Sequence, residues 1–297
     1  MNQSKNLSHL FDSKPIIKVG GAFDAMSAKL VEIQKFDAVW AGSFAISATH
    51  ALPDASILTM TEFLHAAQNM VDTCNIPIIA DCDTGFGGPG NVTHLVKKYE
   101  KAGVAGISIE DKTFPKQNSL LNQSNQNLIS EKEFVAKIIA AREAKIDENF
   151  LLIARTEALI AEKGMEEALK RATAYEKAGA DAILIHSKKD SAEEVFEFAD
   201  TWNGNIPLVV VPTTYPDVKI DELISHKIKM VIYANQTLRA AYSSMRDILI
   251  KIQQNDSEGI KNDIVSMEKI FELQKMYDIK EEEKEIEAEL KKMGYID

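Results

Sequence analysis

Short apolar runs alternate along the chain with longer segments in which apolar positions recur every three or four residues. The runs are rich in β-branched residues, and the longer segments have helical periodicity. Continuous apolar runs are typical of parallel strands covered by helices on the outside, and eight strand–helix units close a barrel. The pattern therefore predicts an α/β fold, a single (β/α)8 barrel. The predicted strands are residues 15–20, 38–43, 77–83, 106–111, 150–156, 182–187, 207–213 and 230–235.

The segments between these strands, and those after the last one, predict helices. No linker rich in proline, glycine or serine interrupts the pattern, so residues 1–297 are predicted to form one domain. The barrel is expected at about 14–253 and extra C-terminal helices at about 256–295. The apolar stripe containing Ile264, Met267, Ile270, Phe271 and Leu273 must pack against the barrel or a neighbouring subunit. The predicted helices are residues 25–33, 60–71, 92–101, 131–144, 164–178, 192–202, 237–252, 260–276 and 279–293.

The balance of charge limits the classes of partner. The chain has 45 acidic and 34 basic residues and a formal net charge of −11. Nucleic acid and anionic membrane surfaces would be repelled, and no apolar stretch is long enough to span a bilayer. Cys74 and Cys82 have neither zinc-site nor CxxC spacing. We expect a cytoplasmic protein without a disulfide framework, whose main partner is neither nucleic acid nor a membrane. A small anionic substrate remains possible, provided that a metal or local Lys and Arg residues reverse the field at the site.

Polar residues stand where the predicted strands end. In a (β/α)8 barrel the carboxyl ends of all strands face one rim, so residues far apart in sequence converge there. The long polar loop at residues 117–129, which follows the fourth strand, is a candidate lid. The residues at the strand ends are Ser43, Asp81, Asp83, Glu110, Asp111, Arg155, Glu157, His186, Thr213 and Asn235.

Three of these carboxylates predict a metal site. Asp81 and Asp83, two apart on a strand, would point to the same side, and Glu110 would arrive from the adjacent strand. Carboxylates in one pocket repel each other unless a cation lies among them, and hard oxygen ligands suit Mg²⁺ or Mn²⁺. The glycine-rich turn after Asp83 favours the metal interpretation. The alternative is a buried network of ion pairs with Lys112, Lys116 and Arg155.

One spacing resembles a known signature. Glu110, Asp111 and Lys112 are followed, after five residues, by Asn118 and Ser119. This resembles the signature of the phosphoenolpyruvate mutases, which belong to the isocitrate lyase superfamily. The resemblance covers most of the chain and includes residues 23–29, 40–43, 53–54, 81–85, 154–158 and 185–188.

The resemblance implies an assembly, a cofactor and a set of site residues. It implies a barrel whose C-terminal helix is exchanged between subunits of a homotetramer, a dimer of dimers. It also implies Mg²⁺, with Asp81 as direct ligand and Asp83 and Glu110 holding metal-bound water. Asp54 is expected beside the migrating phosphoryl group. The remaining residues implied are Arg155 and His186 for the phosphoryl group, Lys116, Asn118 and Ser119 in the gating loop, and Trp40, Gly42 and Ser43 in the substrate-binding region, with the backbone of Gly42 and Ser43 at the pyruvate end.

Several activities fit this resemblance. The leading prediction is a mutase that interconverts phosphoenolpyruvate and phosphonopyruvate, in phosphonate biosynthesis. Residues 53–58, 113–116 and 232–235 look equally like phosphonopyruvate hydrolases, in which Thr replaces Asn118; Asn118 therefore favours the mutase. Gly42 replaces the usual serine of the mutases, and Phe23 and Asp24 replace a usual His-Asn pair.

Two further alternatives are weaker. Carbon–carbon lyases of the superfamily usually carry a catalytic cysteine in the loop that contains Lys116 and Asn118, and this loop has none. A non-catalytic binding protein that kept only the barrel would be expected to have lost the acids at the strand ends. Those acids are present, so an enzyme is favoured.

Overall fold

The eight predicted strands close into a barrel in which all neighbouring strands are parallel and the first pairs with the eighth. The structure is a computed structural model that describes residues 2–121, 126–254 and 259–296. The predicted fold class is confirmed. The strands are β1 (Ile17–Ala22), β2 (Ala38–Ala41), β3 (Ile78–Asp81), β4 (Gly106–Glu110), β5 (Leu151–Thr156), β6 (Ala182–Ile185), β7 (Leu208–Val210) and β8 (Ile228–Tyr233).

Helices follow the strands, and three of them have the predicted bounds. These three are α2, α6 and α7. The others, apart from those discussed below, differ from prediction by a few residues at their ends. The helices are α1 (Gln3–Ser13), α2 (Ala25–Ile33), α3 (Ser43–Thr49), α4 (Met60–Thr73), α5 (Pro89–Lys101), α6 (Glu131–Ala144), α7 (Gly164–Ala178), α8 (Glu193–Thr201), α9 (Ile220–Ser225), α10 (Gln236–Gln253), α11 (Ile260–Asp263), α12 (Met267–Leu273) and α13 (Met276–Lys292).

Three helices were not predicted, namely α1, α3 and α9. The first is mostly polar: Leu7 is its one fully buried apolar residue, and Leu10 and Phe11 pack against the same cluster, so its apolar stripe is short. Leu7 packs in the same apolar cluster as Ile17 and Val19, at the amino end of the barrel interior. The other two are one or two turns long, which is too short for a periodic pattern. Ser43, predicted as the end of a strand, begins α3 instead.

Apolar side chains form two layers around the strands. One cluster fills the barrel interior and includes Val19, Ile153 and Leu184. The larger cluster lies between the outer face of the strands and the helices, and it includes Phe134, Tyr175 and Phe198. The alternation of side chains along each strand assigns successive residues to the two layers. The strand ends are thereby anchored from both sides.

The chain comprises two compact units, residues Met1–Leu238 and Arg239–Asp297. The barrel and its site lie in the first unit. In the second, the predicted helix 260–276 is wrong as a single element, because it is divided among α11, α12 and the start of α13. Ile264 is extended, and the side chain of Ser266 caps α12 by accepting from the amide of Lys269. Residues 255–258, which include the start of the expected C-terminal segment, lie outside the described residues.

Apolar side chains of the second unit remain at the surface. Ile264 is 52% exposed and Met267 is 63% exposed, while Ile270, Phe271 and Leu273 are half-buried. The exchange of a helix between subunits and the single-domain organisation stay predictions. Among the described residues, no helix combines the length and apolar character that crossing a bilayer requires.

Candidate active site

Lys116 is the centre of one half of a buried polar cluster at the carboxyl ends of the strands. Its Nζ lies 2.5 Å from Oδ1 of Asp83, 3.0 Å from Oδ1 of Asp54 and 3.2 Å from Oγ of Ser43. Burial alone would lower the pKa of this ammonium group, but the surrounding carboxylates, Asp83 and Asp54 foremost, raise it well above its usual value. Lys116 is therefore a fixed positive charge.

Asn118 joins the lid to the loop after α3. Its Nδ2 donates to Oδ2 of Asp54 at 2.7 Å, and its Oδ1 accepts from the amide of Leu120 at 3.0 Å. The second bond fixes the orientation of the side-chain amide, so that the donor faces Asp54. The amide of Lys116 also donates to Oγ of Ser56 at 3.1 Å. The described part of the lid thus covers Asp54; residues 122–125 of the lid lie outside the described residues.

Asp81 and Asp83 lie together, but not for the reason that the sequence suggested. Strand β3 ends at Asp81, and Asp83 follows it in the left-handed region with φ of 50°. The prediction that both stand on one strand is therefore wrong, and the turn, not the alternation of the strand, directs Asp83. Its amide donates to Oδ1 of Asp81 at 3.3 Å, and Ser43 Oγ donates to Oδ2 of Asp81 at 2.9 Å.

Two buried carboxylates of this region keep an oxygen with no protein partner. Among the described residues, Oδ2 of Asp83 and Oε1 of Glu110 have neither a hydrogen bond nor an ion pair. Burial raises the pKa of Asp83 to about 6, opposed by Lys116, and raises that of Glu110 to about 7, opposed by Arg155. A cation beside these oxygens would favour the ionised carboxylates.

The residues present fit a magnesium ion in part. Within residues 2–121, 126–254 and 259–296, no three His, Cys, Asp or Glu side chains form a ready-made cage for a metal. The alternative of an ion network is realised in part, because Lys116 pairs with Asp83 and Arg155 Nε lies 3.3 Å from Oε2 of Glu110. Mg²⁺, however, is commonly held by one or two carboxylates together with waters and substrate oxygens. The unpartnered oxygens, with Asp81 beside them, meet that requirement.

Glu157 is the centre of the other half of the cluster. It has no exposed surface, and it contacts Nε of Arg155 at 2.5 Å, Nδ1 of His186 at 3.0 Å, Oγ of Ser119 at 2.6 Å and Nζ of Lys112 at 3.3 Å. Burial alone would raise its pKa, but the positive charge of Arg155 holds the pKa well below the usual value. Glu157 is a fixed negative charge among basic residues.

Sequence reasoning placed Glu157 at the rim but did not assign it to the site. The available signal was its position two residues after Arg155, in phase with it at the end of β5. The ion-network alternative paired Lys112 with the acids Asp81, Asp83 and Glu110, but its ion pair in the structure is with Glu157. Lys112 also donates to the carbonyl oxygen of Gln117 and to Oγ of Ser119, both at 2.7 Å.

Arg155 and His186 are paired, and one nitrogen of the Arg155 guanidinium group has no hydrogen-bond partner among the described residues. Nη2 of Arg155 lies 2.7 Å from Nδ1 of His186 and 3.0 Å from Oγ of Ser119. Because an arginine always donates, Nδ1 is assigned as the acceptor in the neutral ring, with the ring proton on Nε2. The contact of Nδ1 with Oε1 of Glu157 is then not a hydrogen bond. Burial and Arg155 lower the pKa of His186, which keeps the ring neutral. Nη1 of Arg155 makes no hydrogen bond to the described residues and is available to a ligand.

Trp40 and Gly42 are neighbours at the end of β2. Trp40 is buried in the apolar cluster of the barrel interior. A Cβ atom at Gly42 would lie 3.1 Å from Cδ1 and 3.2 Å from Nε1 of the Trp40 ring. A serine side chain at this position would lie too close to the indole ring in its observed position, whereas glycine leaves room for the ring.

The structure brings most of the predicted residues into one cluster of contacts. Glu110 links the two halves: its amide donates to the carbonyl of Asp83 at 2.8 Å, and its Oε2 lies 3.3 Å from Nε of Arg155. Thr213 and Asn235, also predicted at the rim, bond to each other at 3.2 Å. The members of the cluster are Ser43, Asp54, Asp81, Asp83, Glu110, Lys112, Lys116, Asn118, Ser119, Arg155, Glu157 and His186.

Comparisons with known proteins show the family of this chain. Residues 7–253 match the family model described as phosphoenolpyruvate phosphomutase. A phosphonopyruvate hydrolase of Variovorax sp. is 41% identical over 276 residues, which cover 92% of this chain and 95% of the relative.

Solved structures show the same likeness. The crystal structure of a phosphoenolpyruvate phosphomutase from Streptomyces platensis subsp. rosaceus has a TM-score of 0.93 and 42% identity, covering 95% of this chain and 98% of that one. A phosphonopyruvate hydrolase in complex with oxalate and Mg²⁺ has a TM-score of 0.89 and 39% identity, covering 94% and 97%. The chain therefore belongs to the phosphoenolpyruvate phosphomutase family, within the isocitrate lyase superfamily.

Proposed function

We propose that this protein is a Mg²⁺-dependent phosphoenolpyruvate phosphomutase, which interconverts phosphoenolpyruvate and phosphonopyruvate. The observation that carries the proposal is the hydrogen bond from Asn118 to Asp54. Both oxygens of Asp54 have partners, since Lys116 holds the other one at 3.0 Å. A carboxylate fixed in this way is suited to direct its charge at a neighbouring group rather than to activate a water molecule.

The reaction moves a phosphoryl group within one substrate molecule. From phosphonopyruvate, the bond between phosphorus and C3 breaks and its electron pair passes into the pyruvate enolate, whose oxygen then bonds to phosphorus; no proton or water is consumed. Such transfers pass through a loose state in which charge spreads over the phosphoryl oxygens. Nη1 of Arg155 and the ring N–H of His186 would stabilise that charge, and the lid would exclude water.

Magnesium belongs to the same proposal. Asp81 would hold the ion directly, with Asp83 and Glu110 acting through water, and the solved hydrolase complex contains Mg²⁺. When bound, the ion would act as a Lewis acid that stabilises the negative charge of the enolate. Mn²⁺ has similar preferences for oxygen ligands. Lys116 would balance the charge of Asp54 and of one oxygen of Asp83, which leaves the other oxygen of Asp83 for metal-bound water.

The second candidate is phosphonopyruvate hydrolysis, and the 41% identity to the Variovorax hydrolase favours it. In that reaction the oxygen of water bonds to phosphorus as the bond to C3 breaks. One proton of the water ends on C3, so the products are pyruvate and phosphate. This reaction needs water inside the closed site, whereas the mutase reaction requires its exclusion.

One experiment separates the two candidates. The protein is incubated with phosphonopyruvate and Mg²⁺, and the phosphorus products are followed by ³¹P NMR. A phosphoenolpyruvate signal supports the mutase. Inorganic phosphate together with pyruvate, and no phosphoenolpyruvate, would sink the mutase proposal and support the hydrolase. A parallel sample with EDTA should show no turnover, and turnover should return when Mg²⁺ is added in excess.

Assembly, pathway and location extend the proposal. The exposed apolar residues of the second unit, such as Met267, support a homotetramer in which C-terminal helices are exchanged. The mutase equilibrium favours phosphoenolpyruvate in this family, so phosphonate synthesis would need a following irreversible step. The cytoplasmic location stays a prediction.

A further inference from the structure

One buried lysine has no part in the chemistry proposed above. Lys137 lies on α6 and is 6% exposed. Its Nζ donates to the carbonyl oxygen of Thr84 at 2.8 Å. Across the described ranges, no carboxylate forms an ion pair with it. Burial lowers the pKa of this ammonium group, opposed by Glu133 one turn earlier on the same helix. A buried ammonium group without an ion pair is costly, so such a residue requires an explanation.

The carbonyl that Lys137 holds belongs to the turn after β3. Thr84 has no exposed surface and directly follows Asp83. In this turn Asp83, Gly85, Phe86 and Gly87 all have positive φ, with values of 50°, 85°, 57° and 141°. Left-handed backbone is unfavourable for residues other than glycine, and most of all for bulky ones.

The strained turn is held at several points. The amide of Glu110 donates to the carbonyl of Asp83 at 2.8 Å, and the amide of Gly85 donates to that of Cys82 at 2.9 Å. The ring of Phe86 packs on that of Phe63 with centroids 5.7 Å apart. Lys137 supplies the contact to the next carbonyl, that of Thr84. Because a peptide group is planar, fixing this carbonyl fixes the peptide group that joins Thr84 to Gly85, which begins one residue after Asp83.

We propose that Lys137 is a positioning residue for the metal site: it holds the Thr84 carbonyl and thereby fixes the turn that presents Asp83 beside Asp81. The inference rests on the proposed function, because it requires the metal to bind at these acids. Groups outside the ligands commonly orient them, and their loss typically weakens metal affinity by about 10–100-fold. Lys137 acts through the backbone and touches neither metal nor substrate.

A purely structural role makes a different prediction. If Lys137 served only the packing of α6, its replacement would change the stability of the fold and leave metal affinity unaltered. K137M keeps most of the side-chain volume and removes both the buried charge and the donor to Thr84. In K137M, removal of the buried charge raises the free energy of unfolding, and the unpartnered carbonyl of Thr84 lowers it. Stability and metal affinity therefore need not change together.

The test is metal binding to the full chain without substrate. Mn²⁺ is titrated into the parent protein and into K137M, and free Mn²⁺ is followed by electron paramagnetic resonance. We expect K137M to raise the Kd for Mn²⁺ by about tenfold. K132M is the matched control, because Lys132 is exposed on the same helix and its loss changes the net charge equally. K132M should bind Mn²⁺ like the parent.

A second variant keeps the test decisive if K137M does not fold. K137A removes the atoms that propylammonium contains, so added propylammonium should restore part of the lost Mn²⁺ affinity, while sodium at the same ionic strength should not. A Kd within twofold of the parent in either folded variant overturns the proposal. If the parent itself binds no Mn²⁺, the proposed magnesium site fails instead, so the two failures are distinguishable.

Discussion

Nδ2 of Asn118 donates a 2.7 Å hydrogen bond to Oδ2 of Asp54, and this bond joins the lid to the loop that carries the acid. Lys116, two residues before Asn118, holds the other oxygen of the same carboxylate. The lid therefore fixes Asp54 at both oxygens. Release of one of these contacts would free the carboxylate and loosen the cover over the site, which links the position of the lid to the fate of the phosphoryl group.

Replacing Asn118 with threonine should shift the outcome from isomerisation towards hydrolysis. N118T removes the amide that reaches Asp54 and replaces it with a shorter side chain, so water gains access and the carboxylate gains freedom. We expect the ratio of pyruvate to phosphoenolpyruvate formed from phosphonopyruvate to rise by about tenfold, the effect of about 1.4 kcal/mol on competing barriers. ³¹P NMR with an enzymatic pyruvate assay measures this ratio.

Asn127 provides the control for that experiment. It lies at the other end of the same loop, with an exposed side chain. N127T should leave the product ratio at the parent value. An unchanged ratio in N118T would show that Asn118 does not control the entry of water.

Removing the Asp54 carboxylate should greatly reduce turnover and spare metal binding. D54A deletes a charge held by Lys116 and Asn118, and we expect kcat to fall by about 10²–10³-fold. Mn²⁺ should still bind, since Asp81 and Glu110 are untouched. D72A, at an exposed position of α4, is the control. Turnover close to that of the parent would remove Asp54 from the site.

Glu157 should be the most important acid for stability. E157Q leaves Arg155 and Lys112 buried without their shared counter-charge, and breaking a buried pair in this way costs about 3–5 kcal/mol. Urea unfolding followed by circular dichroism measures the free energy. E162Q changes the charge equally at an exposed glutamate, so its unfolding curve should overlay that of the parent. Equal curves for both variants would contradict the central role of Glu157.

His186 should make the folded state less stable in acid. Burial and Arg155 lower its pKa in the folded protein below the usual 6.5. As the pH falls through 6.5 the unfolded chain binds this proton first, so stability is lost; above 6.5 the contribution is fully retained. The free energy of unfolding, measured by urea at pH about 7.5 and about 5.5, should fall more steeply for the parent than for H186Q.

The comparison with H186Q isolates the histidine from its neighbours. The raised pKa values of Asp83 and Glu110 give the opposite dependence, because these folded-state carboxyls bind protons before those of the unfolded chain do. Both proteins share that contribution. Equal slopes for parent and H186Q would mean that His186 titrates alike in the folded and unfolded states.

Local patterns predicted most of the barrel and the identity of its rim. Apolar runs located all eight strands, and the helices α2, α6 and α7 were predicted with their bounds, because each has a clear periodic face. The helix α1 was not predicted because it is mostly polar and its apolar stripe consists only of Leu7, Leu10 and Phe11. The segment that contains α11 and α12 was wrongly predicted as one helix. Its apolar stripe is continuous, but Ser266 caps α12 and so begins a new helix there.

The sequence by itself determined the barrel, the rim and the set of charged residues that meet there, because the carboxyl ends of all strands in a closed parallel barrel lie at the same rim. Only the tertiary structure decided how those charges pair. It gave Glu157 four polar partners and Lys116 three, and a left-handed turn, not strand alternation, directs Asp83. Pairing of buried charges depends on distances of a few ångströms between segments remote in sequence, and no local pattern specifies those distances.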